Sequence, residues 1–278
     1  MLNVVGHRPL GLRDAAAVAD VLASDPVPMC MVAARCEVHG LNPRLLGGAL
    51  WTADHPSTSL CFSGANLIPL LGSRSDLTYF ADRALSRPRA CSSVVGPADL
   101  VAPLWEDLVT EWGPAREVRP DQPLMALDGP PAAAPDPAVR LVTEDDLDAY
   151  LPAAIDMFIG EVGVDPRAGD GGVSYRRRLL SLIAANRVFA RFEDGQVVFK
   201  AEVGSMSSKV GQIQGVWVDP ARRGAGLGSA GTAAVAQAIV AGGRTASLYV
   251  NNFNAPARAA YLRIGFVQVG TFATVLID

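Results

Sequence analysis

The sequence predicts a mixed α/β fold arranged in two halves. In the C-terminal half, strand-like apolar runs alternate with helically spaced segments, and one strand enters a helix through a glycine-rich turn within residues 211–241. A Pro- and Ala-rich stretch without periodicity, Gly129–Asp136, divides the chain into nearly equal parts. The expected domains are residues 1–128 and 139–278, joined by a linker over 129–138.

In the C-terminal half, Val139–Val142 suits a short strand. Thr143-Glu144-Asp145-Asp146 then supplies a helix start, with Thr143 as N-cap and acids in the first turn. Leu147, Leu151, Ile155 and Phe158 carry that helix forward at helical spacing. Ser174 opens a second helix bearing Arg176, Arg177 and Arg178, which either guide an anionic ligand or form a solvated face. Val188–Phe192 turns through E-D-G into Val197–Gly204 as a hairpin, and Gly211–Val218 follows as a third strand. Asp219-Pro220 breaks that strand, and a helix runs from about Gly228 to Ala241. Next come a strand over Ala246–Val250, a short helix over Pro256–Arg263 ended by Gly265, and two short strands within Phe266–Ile277. The N-terminal half is less patterned. Strands are expected over Pro28–Val38, Ser59–Phe62 and Cys91–Val95, and a helix over Leu100–Trp112 from the spacing of Leu100, Leu104, Trp105 and Leu108.

Composition removes several function classes. Half of the 278 residues are apolar, enough to build a sizeable core. The net charge of −4, with acids and bases nearly balanced, gives no basic footprint for nucleic acid. Cys30, Cys36, Cys61 and Cys91, with three histidines, show no ligand spacing, so no metal is expected and the thiols are expected to be free and buried. The N-terminus lacks a signal-peptide pattern, and no run of about 18 apolar residues occurs. A soluble cytoplasmic protein without a membrane partner is expected.

The chemistry concentrates in V-W-V-D-P-A-R-R-G-A-G-L-G-S, Val216–Ser229. Glycines let backbone N–H groups approach a phosphate together, and the following helix adds unpaired donors and its positive dipole end. That arrangement suits a pyrophosphate. The spacing is neither G-x-G-x-x-G nor a Walker loop, which argues against the common dinucleotide and nucleoside-triphosphate readings, and an ordinary Gly-rich turn is the alternative.

Arg223-x-x-Gly226-x-Gly228 after an apolar strand ending in V-D-P resembles the acetyl-CoA signature of the GCN5-related N-acetyltransferases. A second stretch agrees, N-x-x-A-x-x-x-Y-x-x-x-G-F, formed by Asn254, Ala257, Tyr261 and Gly265-Phe266. The whole chain also resembles a narrower, actinobacterial-type group with an N-terminal domain of unknown function. The matching residues are Gly64–Leu70, Trp112–Met125, Phe199–Glu202 and Gln212–Val218. The resemblance implies the acyl-CoA N-acyltransferase fold in residues 139–278. A degenerate copy in the N-terminal half would make the chain a tandem.

By that resemblance, the backbone of Val216, Trp217 and Val218 meets the pantetheine arm of acetyl-CoA. The N–H groups of Arg223, Gly224, Ala225, Gly226, Leu227, Gly228 and Ser229 would meet its pyrophosphate. Asn254 would hold the cofactor or a water, and Tyr261 would protonate the departing thiolate. The usual basic glutamate of the loop-preceding strand is replaced by Gln214, which cannot act as a base and is assigned to substrate. Glu202 is the alternative base, unless it pairs with Lys200; Glu161 and Asp165 are weaker candidates. The expected activity is transfer of an acetyl or other acyl group to a primary amine of a small molecule or protein. A non-catalytic acyl-CoA sensor is the alternative.

Overall fold

The structure is a computed structural model that describes residues 10–278. The expectation of no signal peptide falls on residues 1–9, outside the described residues. Among the described residues no helix is long and apolar enough to cross a membrane, and no group of three or more His, Cys, Asp or Glu is placed to hold a metal. All four cysteines are free, with Cys30, Cys61 and Cys91 buried and Cys36 half-buried. The chain forms two compact units. The first comprises residues up to Leu124 with Tyr249–Asn252 and Gln268–Asp278, and the second comprises Met125–Leu248 and Phe253–Val267.

The first unit opens with helices α1 (Ala15–Ser24), α2 (Pro26–His39) and α3 (Pro43–Leu46). Strands β1 (Gly48–Trp51), β2 (Leu60–Gly64) and β3 (Leu67–Leu71) follow. Helix α4 (Arg74–Leu85), strand β4 (Ser93–Pro97) and helix α5 (Ala98–Trp112) come next, and strand β5 (Glu117–Leu127) runs to the boundary between the units. The last strand of the chain lies beside β4, giving the order β1-β2-β3-β4 and then that strand, with β3 and β4 parallel. Residues 28–38, expected as a strand, are helical. Pro26 and Pro28 suit the first helical turn, which needs no N–H donors, and Met29, Cys30, Val32, Ala33 and Ala34 form its buried side. A continuous apolar run does not distinguish a strand from a buried helix by periodicity.

The second unit contains strand β6 (Arg140–Leu141), helices α6 (Leu147–Val162) and α7 (Val173–Ala184), and strands β7 (Val188–Glu193), β8 (Gln196–Met206) and β9 (Val210–Val218). Helix α8 (Leu227–Ala241), strand β10 (Thr245–Tyr249) and helix α9 (Ala255–Ile264) complete it. Its strand order is β10-β9-β8-β7-β6, antiparallel except for the parallel pair β9/β10. A capping box between Thr143 and Asp146 starts the segment that leads into α6. The core beneath α6 and α7 gathers Tyr150, Ala154, Tyr175, Leu179, Val188 and Ala190. Residues 129–138, expected as a linker, are tied down within this unit. Ala132 N donates to Ile264 O at 2.8 Å, Asp136 N donates to Ala230 O at 3.0 Å, and the buried Asp136 carboxylate pairs with Arg191 at 2.9 Å. The final segment is one strand, β11 (Val267–Leu276), rather than the two expected. Gly270 does not turn the chain there, and its φ is not positive.

Candidate active site

The glycine-rich segment joins β9 to α8. Asp219 ends the strand by accepting from Ala221 N at 2.9 Å, and Pro220 sits at the first position of a single helical turn, Pro220–Arg222. Gly224 and Gly226 adopt φ of +81° and +82°, and a Cβ placed on either meets no atom within 4 Å. The left-handed backbone therefore requires glycine, and the turn faces open space. Gly226 is the N-cap of α8 and offers no side-chain cap, so the first N–H groups of the helix keep their donors and the positive end of the dipole stays uncovered. Ser229 Oγ, in the first turn, is buried without a hydrogen-bond partner. An anion seated over Gly226–Ser229 would satisfy the free N–H groups. Gly228 lies 3.4 Å, through an added Cβ, from the Val218 side chain, so the helix start packs closely on the strand end. Arg223 Nε donates back to Val218 O at 3.3 Å.

The strand before this turn is free on one edge. β9 pairs with β10 only through Val210–Gln212 against Thr245–Ser247, while β8 continues beside β9 as far as Val218. Past Gln212 the backbone of β9, including Val216, Trp217 and Val218, has no register partner on β10. A bulge interrupts the β8 pairing between the Lys200–Trp217 and Glu202–Gln214 pairs, and Gly215 occupies it at φ +58°. The Trp217 side chain packs against the core beneath α6 and α7.

Beside this bulge lies a buried charge cluster. Glu202 is 1 % exposed and accepts from Lys200 Nζ at 2.8 Å and Tyr150 OH at 3.3 Å on Oε1. Its Oε2 accepts from Arg178 Nη2 at 3.1 Å and Gln214 Nε2 at 3.4 Å. Burial would raise the Glu202 carboxyl, but the charges of Lys200 and Arg178 outweigh it and hold the group at about 2. Lys200 is fully buried, which pulls its ammonium below the ordinary lysine range against the opposing pull of Glu202. Its Nζ lies 5.4 Å from the Tyr150 ring centroid and 3.2 Å from a Cβ placed on Gly215. Lys200 and Glu202, two residues apart on one strand, share a face and do pair. Arg178 and Tyr150, contributed by α7 and α6, complete the cluster. No sequence spacing links these helices to β8, so only the fold reveals them.

Tyr261 lies on the buried side of α9, with its ring edge-on to Phe266 at 6.1 Å. Burial, reinforced by the charge of Glu161, raises its phenol well above the ordinary tyrosine range, so it remains protonated through neutral pH. Asn254 is exposed and is the N-cap of α9, its Oδ1 accepting from Ala257 N at 3.2 Å. Gln214 is exposed and rests on Gly204, where an added Cβ would overlap its amide at 2.0 Å. The structure thus brings Glu202 and Gln214 together at the bulge and gives Asn254 a capping bond.

A strand with a free edge and a bulge leads into an uncapped glycine-led helix, and comparison with known proteins gives this arrangement a fold. Residues 198–275 match the family model described as FR47-like protein, and residues 48–150 match a domain of unknown function, DUF4081. A Drosophila protein of solved structure superposes with a TM-score of 0.70 at 16 % identity over 98 % of each chain. A GCN5-related N-acetyltransferase from Sphaerobacter thermophilus gives 0.56 at 17 %, over 98 % of this chain and 95 % of that one. A tandem GNAT protein from the clavulanic acid biosynthesis pathway gives 0.55 at 15 %, over 96 % and 97 %. The chain shares the fold of the GCN5-related N-acetyltransferases, a tandem one among them. No curated protein shows a significant sequence match.

Within this acetyltransferase fold, the first unit repeats the strand–turn–helix–parallel strand arrangement as β3–α4–β4, but its turn is closed. Ser73 accepts from Asp76 N, and Asp76 Oδ2 accepts from Ser73 N at 2.8 Å and from Ser73 Oγ at 2.7 Å. This capping box places a carboxylate at the start of α4, where α8 leaves its donors open.

Proposed function

We propose that this protein transfers an acetyl, or another acyl, group from coenzyme A to a primary amine of a small molecule or protein, by direct attack within a ternary complex. The observation that carries this reading is the uncapped start of α8 beside the free edge of β9. The N–H groups from Arg223 to Ser229 would hold the pyrophosphate, with the orphaned Ser229 hydroxyl beneath it. The free backbone of Val216, Trp217 and Val218 would pair with the amides of the pantetheine arm. Asn254, with its oxygen capping α9, keeps its amide nitrogen for the cofactor or an ordered water.

Bound acetyl-CoA supplies a thioester carbonyl at which the C–N bond forms as the C–S bond breaks. Tyr261, protonated at neutral pH, donates to the departing sulfur. An alkyl ammonium near pKa 10 loses its proton before attack. Glu202, held at about 2 and filled by four donors, is a weak acceptor for that proton, so this reading makes it a positioning residue and gives the proton to water. The absence of a free basic carboxylate at Gln214 or Glu202 is the observation that favours an acyl-CoA sensor instead.

Release of CoA thiol in the presence of a mixed panel of primary amines separates the two. The transferase reading expects turnover, and a Tyr261→Phe variant that binds acetyl-CoA normally while losing roughly 10²- to 10⁴-fold in kcat. Binding without turnover against the panel supports the sensor, and an unchanged kcat in Tyr261→Phe removes the tyrosine from the chemistry.

A further inference from the structure

Resting on the transferase reading above, we infer that the acceptor amine carries an anionic group, a carboxylate or phosphate, bound by Arg178 together with Gln214. Both side chains donate to the same atom, Glu202 Oε2, at 3.1 Å and 3.4 Å, so they stand side by side on one buried carboxylate. That oxygen is sealed from below, because Glu202 is 1 % exposed and its other oxygen is taken by Lys200 and Tyr150. The Arg178 side chain is 43 % exposed, so it reaches solvent as well as the buried carboxylate.

Of the three successive arginines on α7, Arg176 pairs with Asp148 at the surface, and Arg178 alone reaches the strands. Among the described residues Arg178 has Glu202 as its one ion-pair partner, through Nη2, which leaves Nε and Nη1 as donors. A guanidinium fixed at one end and open at the other is pre-organised for a two-point contact with a planar oxyanion. Gln214 adds a neutral donor beside it. Lys200 is spent on Glu202, and the Glu161 carboxylate at the exposed end of α6 also acts on Lys200. Two cations thus share one buried carboxylate, and the outer one is available to a ligand. Because Glu202 pairs with Gln214 in the strand register, this anion seat lies directly beside the β9 bulge, next to the edge along which the acyl donor would lie.

The test is acyl transfer by the full chain to matched amines: glycine and glycinamide, β-alanine and β-alaninamide, glucosamine 6-phosphate and glucosamine. Acetyl-CoA binding is measured by calorimetry on the same preparation. The expected result is kcat/KM at least tenfold higher for anion-bearing members. In Arg178→Gln the preference for anion-bearing members should disappear through KM, with partial recovery in Arg178→Lys. Equal or better use of the neutral partners overturns the inference, as does failure to use any anion-bearing member while acetyl-CoA binds. The wild-type comparison stands whether or not a variant folds. Loss of acetyl-CoA binding itself overturns the transferase reading, a distinct outcome.

Discussion

Changing Glu202 to Gln is expected to destabilise the second unit more than any surface substitution, because it strands a charge. Lys200 is fully buried, and its one bonded counter-charge is Glu202, 2.8 Å away. Removing one partner of a buried ion pair costs about 3–5 kcal/mol, since the remaining charge has neither water nor a partner. Lys200→Met should fall at the lower end of that range, because Arg178, Tyr150 and Gln214 still bond the carboxylate. The double variant Lys200→Met/Glu202→Gln should cost less than the sum of the two by roughly 1–3 kcal/mol, as expected for residues in direct contact. Hydrogen exchange of the β8 and β9 amides reads this locally. At about 1.4 kcal/mol per decade, Glu202→Gln should lower protection by roughly two to four decades. A loss below tenfold, or strict additivity in the double variant, would refute the claim that these charges form one buried unit.

The pH dependence follows from the same carboxylate. Its pKa is depressed in the fold, so its contribution is complete above the ordinary glutamate range near 4.3 and disappears as the pH falls through about 2. The gap in urea midpoint between wild type and Glu202→Gln should therefore be constant from pH 7 to 5 and narrow between pH 4 and 2. Gly231→Ala should cost about 1–3 kcal/mol by urea unfolding, because its Cβ would fall 2.6 Å from the ring of the fully buried Phe199. A neutral effect would show that α8 can lift off β8.

The C-terminal elements were legible in sequence because each carries its own signal. The N-cap Thr143 with its following acids, the E-D-G hairpin, the Asp219-Pro220 break and the Gly265 stop all act within a few residues, and the structure places elements at each. Helix α2 was illegible as a helix because a run such as M-C-M-V-A-A is apolar on every side. The single strand β11 was missed because Gly270 resembles a turn residue but is held extended within a strand that pairs with β4 from Phe272 onward. At the site, the uncapped turn could be read from Gly224, Gly226 and Gly228, since that chemistry belongs to the backbone. The cluster on Glu202 could not, because Arg178 and Tyr150 lie 24 and 52 residues before Glu202 on separate helices. Those contacts depend on how α6 and α7 pack on the strands.

Calorimetric titration of the full chain with acetyl-CoA, alongside Gly226→Asp, tests the central claim most directly. The account predicts one site per chain, since Asp76 closes the start of α4 while the start of α8 is open. Gly226→Asp places a negative side chain at that open start, with room for its Cβ but strain from the left-handed backbone, and binding should fall at least a hundredfold in a variant whose fold is confirmed by circular dichroism. Undiminished binding in the variant, or two equivalent sites in the wild type, would contradict it.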